Sequence, residues 1–180
     1  MVPTHAFVGL AIADVVGGGR AGWGLRAAGA LCASLPDADV LLMRYGDVAY
    51  GAAWGHRGVS HSLVFALGLG LVAALVFFRG RPVSFGRAAL ALAVATASQG
   101  VLDAMTTGGR GVAFFAPFSL ERHFLPWDPI PVASMTLGAF FTARGMSIFG
   151  WELLHLWLPL ALLLVVVHGA RRARRSPSPV

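Results

Sequence analysis

Lysine is absent from this chain: every one of its 14 basic residues is an arginine. Charge of any kind is sparse, at 12% of 180 residues, against roughly a quarter in an ordinary soluble domain. There is a single cysteine, Cys32, which excludes an internal disulfide and a thiolate metal cluster. No basic stripe with interleaved aromatics occurs, so nucleic acid is not expected as a partner. The glycines of Val16-Gly17-Gly18-Gly19 have no Lys or Ser/Thr sequel, which rules out a phosphate loop. The opening Met-Val-Pro-Thr-His has neither the basic segment nor the cleavage site of a signal peptide and is expected to be retained. What remains is apolar, with 57% hydrophobic residues and a mean hydropathy of +0.72. A soluble fold, a disordered chain and a disulfide scaffold all fit poorly. The composition is that of a membrane protein.

Five apolar segments stand out: 6–16, 21–35, 61–78, 88–105 and 151–168. A spanning helix needs about 20 predominantly apolar residues, with a range of roughly 17–25. By that measure the last three qualify as spans, while the first two are short, rich in Ala and Gly, and suit a tilted or partly buried pair. Backbone polar groups in lipid must be satisfied within the segment, so the expected fold is an all-α transmembrane bundle of four to five helices. Pro159 predicts a kink in the fifth segment. The loop 106–150 is too long for a plain connection, and its many phenylalanines predict packing over the bundle or in the interface. One domain is expected over 1–170, followed by a basic, disordered tail over 171–180.

If all five segments cross, Arg20, Arg26, Arg79, Arg81, Arg87, Arg171, Arg172, Arg174 and Arg175 fall on one side, nine of the 14 arginines. The positive-inside tendency makes that side cytoplasmic, with the C-terminus on it. Every acidic residue except Asp14, and every histidine except His168, then falls on the outer side. Each outer segment end carries a potential ligand. His5 opens the first segment, Asp37 and Asp39 close the second, His56 and His61 precede or open the third, Asp103 closes the fourth, and Glu152 opens the fifth. Imidazole and carboxylate groups from five stretches of chain converge at one membrane face.

Neutral imidazole is the commonest side-chain ligand for zinc-like ions. His56 and His61 would point some 140° apart on a continuous helix; with Ser60 as N-cap, His56 can instead fold back toward His61. In Leu35-Pro36-Asp37-Ala38-Asp39 an extended turn would put both carboxylates on one side. One could ligate a metal while the other bridges or orients a histidine. Gln99 and Asp103 share a helix face, and an ionisable group at the end of a span is a functional candidate. Glu152 and His155, three residues apart, could reach one centre, although an acid at a helix N-terminus is also favourable by itself.

The order Pro-Thr-His, Leu-Pro-Asp-Ala-Asp, His-Arg-Gly-Val-Ser-His-Ser and Leu-Asp-Ala-Met-Thr-Thr-Gly-Gly, followed by Phe-Phe-Ala-Pro-Phe-Ser and Pro-Trp-Asp-Pro-Ile-Pro-Val, resembles the YdjM-type, LexA-regulated family of membrane-bound metal-dependent hydrolases. The likeness runs from about residue 2 to about 160. It implies a bacterial inner-membrane, multi-pass hydrolase-like domain, distantly similar to zinc-dependent phospholipase C and P1 nuclease. It implies metal ligands at His5, Asp37, His56, His61, Asp103 and Glu152, with Gln99 where the family has histidine. The divalent metal, zinc by this resemblance, would activate water against a phosphoester. Asp39 or Asp37 would act as general base and Arg57 would stabilise the phosphate charge. The expected substrate is a lipid or other amphiphilic phosphoester. The alternative is a catalytically inactive membrane protein with a structural or degenerate metal site; a transporter is disfavoured because 63–78 carries no polar residue.

Overall fold

The computed structural model describes residues 2–132 and 137–173. Its helices are α1 (Val2–Gly17), α2 (Trp23–Ser34), α3 (Asp39–Tyr45), α4 (Leu63–Phe77), α5 (Phe85–Ala104), α6 (Leu137–Phe140), α7 (Ala143–Glu152) and α8 (Leu158–Ala173). Among the described residues there is no strand, only two isolated bridges, Thr106 to Ile130 and Val112 to His123. The all-helical expectation therefore holds.

Among the described residues, three helical stretches are long and apolar enough to cross a membrane: Val2–Arg20, Phe85–Ala104 and Ala143–Ala173. This changes the expected assignment of spans. The first segment qualifies because its helix starts at Val2 and runs through a 3₁₀ turn to Arg20. The third yields a helix of only 15 residues, since His61 is held in a 3₁₀ turn, Val59–His61, and the helix is capped by Ser62 rather than Ser60, with Ser62 Oγ accepting from Phe65 N at 3.1 Å. The fifth begins far earlier than expected. Thr142 caps it by accepting from Gly145 N at 3.2 Å, which places Glu152 inside a helix rather than at its start. Near Pro159 the chain adopts a π-helical turn, Leu153–Trp157, as expected where proline lacks an N–H and crowds the carbonyl four residues back.

α1, α2 and α4 all pack on α5, and α1 and α2 pack on each other. The α1–α2 contact is made by glycine: a Cβ on Gly29 would collide with Ala13 Cβ and the Gly9 carbonyl, and a Cβ on Gly9 with Ala33 Cβ. Small residues let helix backbones approach closely where lipid gives no hydrophobic drive to associate. The core is correspondingly rich in alanine, with Ala13, Ala33, Ala74, Ala88, Ala91 and Ala95 fully buried.

One end of this bundle is arginine-rich. There Asp14 of α1 is buried and bound by Arg26 of α2, whose Nη2 lies 2.7 Å from Oδ1. From α8, His168 Nε2 lies 3.2 Å and Arg171 Nη1 3.8 Å from Oδ2. At the opposite end, the loop after α5 folds back over the helices. Leu125 N donates to Ala104 O at 2.9 Å, Leu63 N to Phe114 O at 3.0 Å, and Thr107 N to Ile130 O at 2.9 Å. Val112 and Ile130 are fully buried, so this loop packs over the bundle. Of the tail expected to be disordered over 171–180, residues 171–173 instead continue α8, with Arg171 Nη2 donating to Val15 O at 2.9 Å, and 174–180 lie outside the described residues.

Candidate metal centre

His5, one turn into α1, and Asp103, in the last turn of α5, meet at the loop-covered end, with His5 Nε2 at 3.6 Å from Asp103 Oδ1. Asp37 enters from the turn after α2. Pro36 starts that turn as a 3₁₀ helix, Leu35–Ala38, so the expected extended geometry does not occur. Asp37 and Asp39 accordingly face different partners. Asp37 Oδ1 lies 3.7 Å from His61 Nε2, and its Oδ2 lies 4.0 Å from His5 Nε2. His61 Nε2 closes the ring at 3.4 Å from Asp103 Oδ2.

Asp39 sits behind the histidines. Its Oδ1 accepts from His56 Nδ1 at 2.8 Å, and its Oδ2 accepts from Ser60 Oγ at 2.6 Å and Arg57 N at 3.3 Å. His61 Nδ1 lies 3.2 Å from the same Oδ2 and 3.0 Å from Ser60 Oγ. One carboxylate thus fixes both imidazoles through Nδ1 and leaves each Nε2 for another partner. This is the arrangement in which a carboxylate orients a metal-ligating histidine. The backbone that allows it is special: Arg57 has a left-handed φ of 63°, and a Cβ on the next residue, Gly58, would strike Ala53 O.

The electrostatics follow from these contacts. Burial alone would raise the Asp39 carboxyl, but hydrogen bonds from His56 and His61 hold it far below the usual carboxylate range. Burial alone would lower His61, yet Asp103, Asp37 and Asp39 around it push it well above the ordinary histidine value. Arg122 is lowered, chiefly by burial. It clamps the histidine loop from the covering segment, donating through Nη1 to His56 O at 2.9 Å and through Nη2 to Tyr50 O at 3.2 Å.

Three observations fit a divalent cation. His5 Nε2, His61 Nε2 and Asp103 Oδ2 are buried without a hydrogen-bond partner, an expensive condition for polar atoms unless something binds them. Tetrahedral ligands at zinc distances sit about 3.3 Å apart, and His5 Nε2 and His61 Nε2 each lie 3.4–4.0 Å from carboxylate oxygens of Asp103 and Asp37, the two histidines facing opposite oxygens of each carboxylate. Three carboxylates, Asp37, Asp39 and Asp103, face one arginine, Arg57, so the cluster stays net negative even with His61 protonated. Asp37, His56 and His61 also offer ligand atoms all within 4.8 Å of one another.

Not every expected site residue takes the expected place. Glu152 is buried but accepts a hydrogen bond from Thr4 Oγ1, itself bound by Trp157 Nε1 at 2.9 Å. Because Glu152 lies inside the long helix, its carboxylate faces the residue beside His5. His155 turns away, donating through Nδ1 to Trp151 O at 2.9 Å and stacking on Trp151. Arg57 is directed inward, with Nε 3.3 Å from Asp103 Oδ2 and Nη1 donating to Gly108 O at 3.0 Å. Gln99 is fully buried with both amide atoms unpartnered. Ser60, Thr4 and Arg122 were not singled out by sequence as parts of the site; only Ser60, between the two histidines, carried a local signal.

These features define a helical membrane protein with a buried histidine–aspartate cluster at one end. The model of the family described as YdjM inner membrane protein matches residues 1–174, and the chain belongs to that family. It is 42% identical over 171 residues to the Inner membrane protein YbcI of Escherichia coli (strain K12), covering 95% of this chain and 98% of that protein. No solved structure matches.

Proposed function

We propose that this protein is a membrane-bound, metal-dependent hydrolase of phosphoesters. The observation that carries the reading is the set of unpartnered buried atoms, His5 Nε2, His61 Nε2 and Asp103 Oδ2, turned toward Asp37 with Asp39 orienting from behind. His5, His61 and Asp103 are the ligand set proposed for a divalent ion such as zinc, with His56 Nε2 in reach and Asp37 beside the position left open for water. Glu152, taken by Thr4, is left out of that set. When bound, a divalent cation activates water at neutral pH and polarises a phosphoryl oxygen.

The chain's own groups do the rest. Asp39, saturated by donors and held strongly acidic, is a positioning residue and a poor proton acceptor. Asp37, whose side chain is 16% exposed, stands at the mouth as the carboxylate that can take a proton from water. Arg57 offsets the negative charge of Asp103 and holds it in place. The arginine bias favours an outer-face position for this end and a cytoplasmic C-terminus. At headgroup depth the reading favours an amphiphilic phosphoester. The test is metal content and phosphodiesterase activity after metal-replete purification in detergent. The wild type is expected to retain metal and activity and His61→Ala to lose both; wild type without metal overturns the proposal.

One observation favours a second reading, a structural or degenerate metal site. Gln99 brings an unpartnered amide to the position where the resemblance places histidine. If Gln99→His gains metal and activity, the native site is degenerate; if it gains neither, the site is built around glutamine.

A further inference from the structure

α2 and α4 both pack on α5 and barely touch each other. Between them, at the arginine-rich end and away from the histidine–aspartate cluster, runs a groove of about 510 Å³. That volume lies within the roughly 300–1,000 Å³ of ligand clefts. Its walls are apolar, with Leu25, Leu31, Phe77, Phe78 and Val83, and its rim carries Arg20 and Arg81. Both arginines are exposed, and neither has a carboxylate within ion-pair distance among the described residues. The one acid at this end, Asp14, is already occupied by Arg26, Arg171 and His168. Trp23 is 73% exposed at the same level, the position of an aromatic side chain in the membrane–water interface.

We propose that this groove binds one anionic phospholipid from the surrounding leaflet, its phosphate held by Arg20 and Arg81 and one acyl chain laid against Leu31, Phe77 and Val83. The two halves of the site are complementary to the two halves of such a lipid. Apolar walls open to the hydrocarbon, and unpaired guanidinium groups stand at headgroup depth, where arginine matches phosphate geometry. A zwitterionic lipid would leave the rim's charge uncompensated. A free anion would leave the walls empty. The site stands apart from the metal centre and does not depend on catalysis.

Native mass spectrometry of the detergent-purified chain, with phosphatidylglycerol or phosphatidylethanolamine of identical acyl chains, tests this. Each arginine near an anionic lipid is worth about a fivefold preference, so Arg20→Gln with Arg81→Gln should lower phosphatidylglycerol binding by about 25-fold and leave the zwitterionic lipid unaffected. Arg79→Gln, exposed at the same end but outside the groove, should change nothing. Gly24 lines the groove with open space where its Cβ would be, so Gly24→Trp should fill it and displace the lipid without disturbing the bundle. Equal losses in the Arg79 variant, unchanged binding in Gly24→Trp, or displacement of the lipid by inorganic phosphate alone would each overturn the proposal.

Discussion

Asp39→Asn separates a positioning role from a ligand role. The native carboxylate accepts from His56 Nδ1, Ser60 Oγ and Arg57 N, with His61 Nδ1 close to the same oxygen as the last two. Asparagine keeps the shape but presents an NH₂ to one side. Whichever way it turns, one histidine meets a donor instead of an acceptor and loses its fixed tautomer. The cluster also loses one negative charge. Loss of such an outer partner costs about 10- to 100-fold in metal affinity, or about 1.4 to 2.7 kcal/mol. Zinc titration against a competing chromophoric chelator, on protein in detergent, reads this directly. Asp39→Asn should bind the same number of ions as wild type, more weakly, while His61→Ala loses a site. Affinity changed by less than about twofold, or zinc lost as completely as in His61→Ala, would refute the assignment of Asp39.

Zinc binding should also release a proton. His61 is held above the ordinary histidine value by its aspartates, so without metal it keeps its proton to higher pH than a free imidazole, whereas a ligating imidazole is neutral. Apparent affinity should therefore rise with pH until His61's raised pKa is passed; calorimetry in buffers of different ionisation enthalpy measures the proton, and a pH-independent affinity refutes the coupling. Gly29→Leu would drive a side chain into Ala13 and the Gly9 backbone, and overpacking of this kind costs about 1–3 kcal/mol. It should lower the melting temperature in detergent, while Gly24→Ala, with open space around it, leaves it unchanged; equal melting of both would remove the close-packing account.

Much of the fold was legible because hydrophobic length and punctuation are one-dimensional signals. The segments 21–35 and 88–105 match α2 and α5 within a few residues. What was not legible was set by local caps and tertiary contacts. Thr142-Ala143-Arg144-Gly145 lies among aromatic residues that hide a helix start, so the fifth helix was placed eight residues too late and Glu152 at its mouth. Ser60 and Ser62 are both plausible caps by type. Only the pull of Asp39 on the Ser60 hydroxyl decides between them.

The candidate site shows the same division. Residue types at helix ends told which groups could gather; they could not tell which imidazole nitrogen each aspartate would take. The two ends of the bundle show why the gathering alone is not the evidence. At one end Asp14 is buried against Arg26, Arg171 and His168, an acid answered by more positive charge than it carries. At the other, Asp37, Asp39 and Asp103 share one buried arginine, and ring nitrogens of His5 and His61 stand without partners. A buried carboxylate needs pairing in either place. The first end supplies cations from its own helices, and although Asp14 Oδ2 makes no hydrogen bond, His168 and Arg171 lie within ion-pair distance of it. The second gathers three carboxylates around unpaired ring nitrogens, and one divalent cation bound there would answer both.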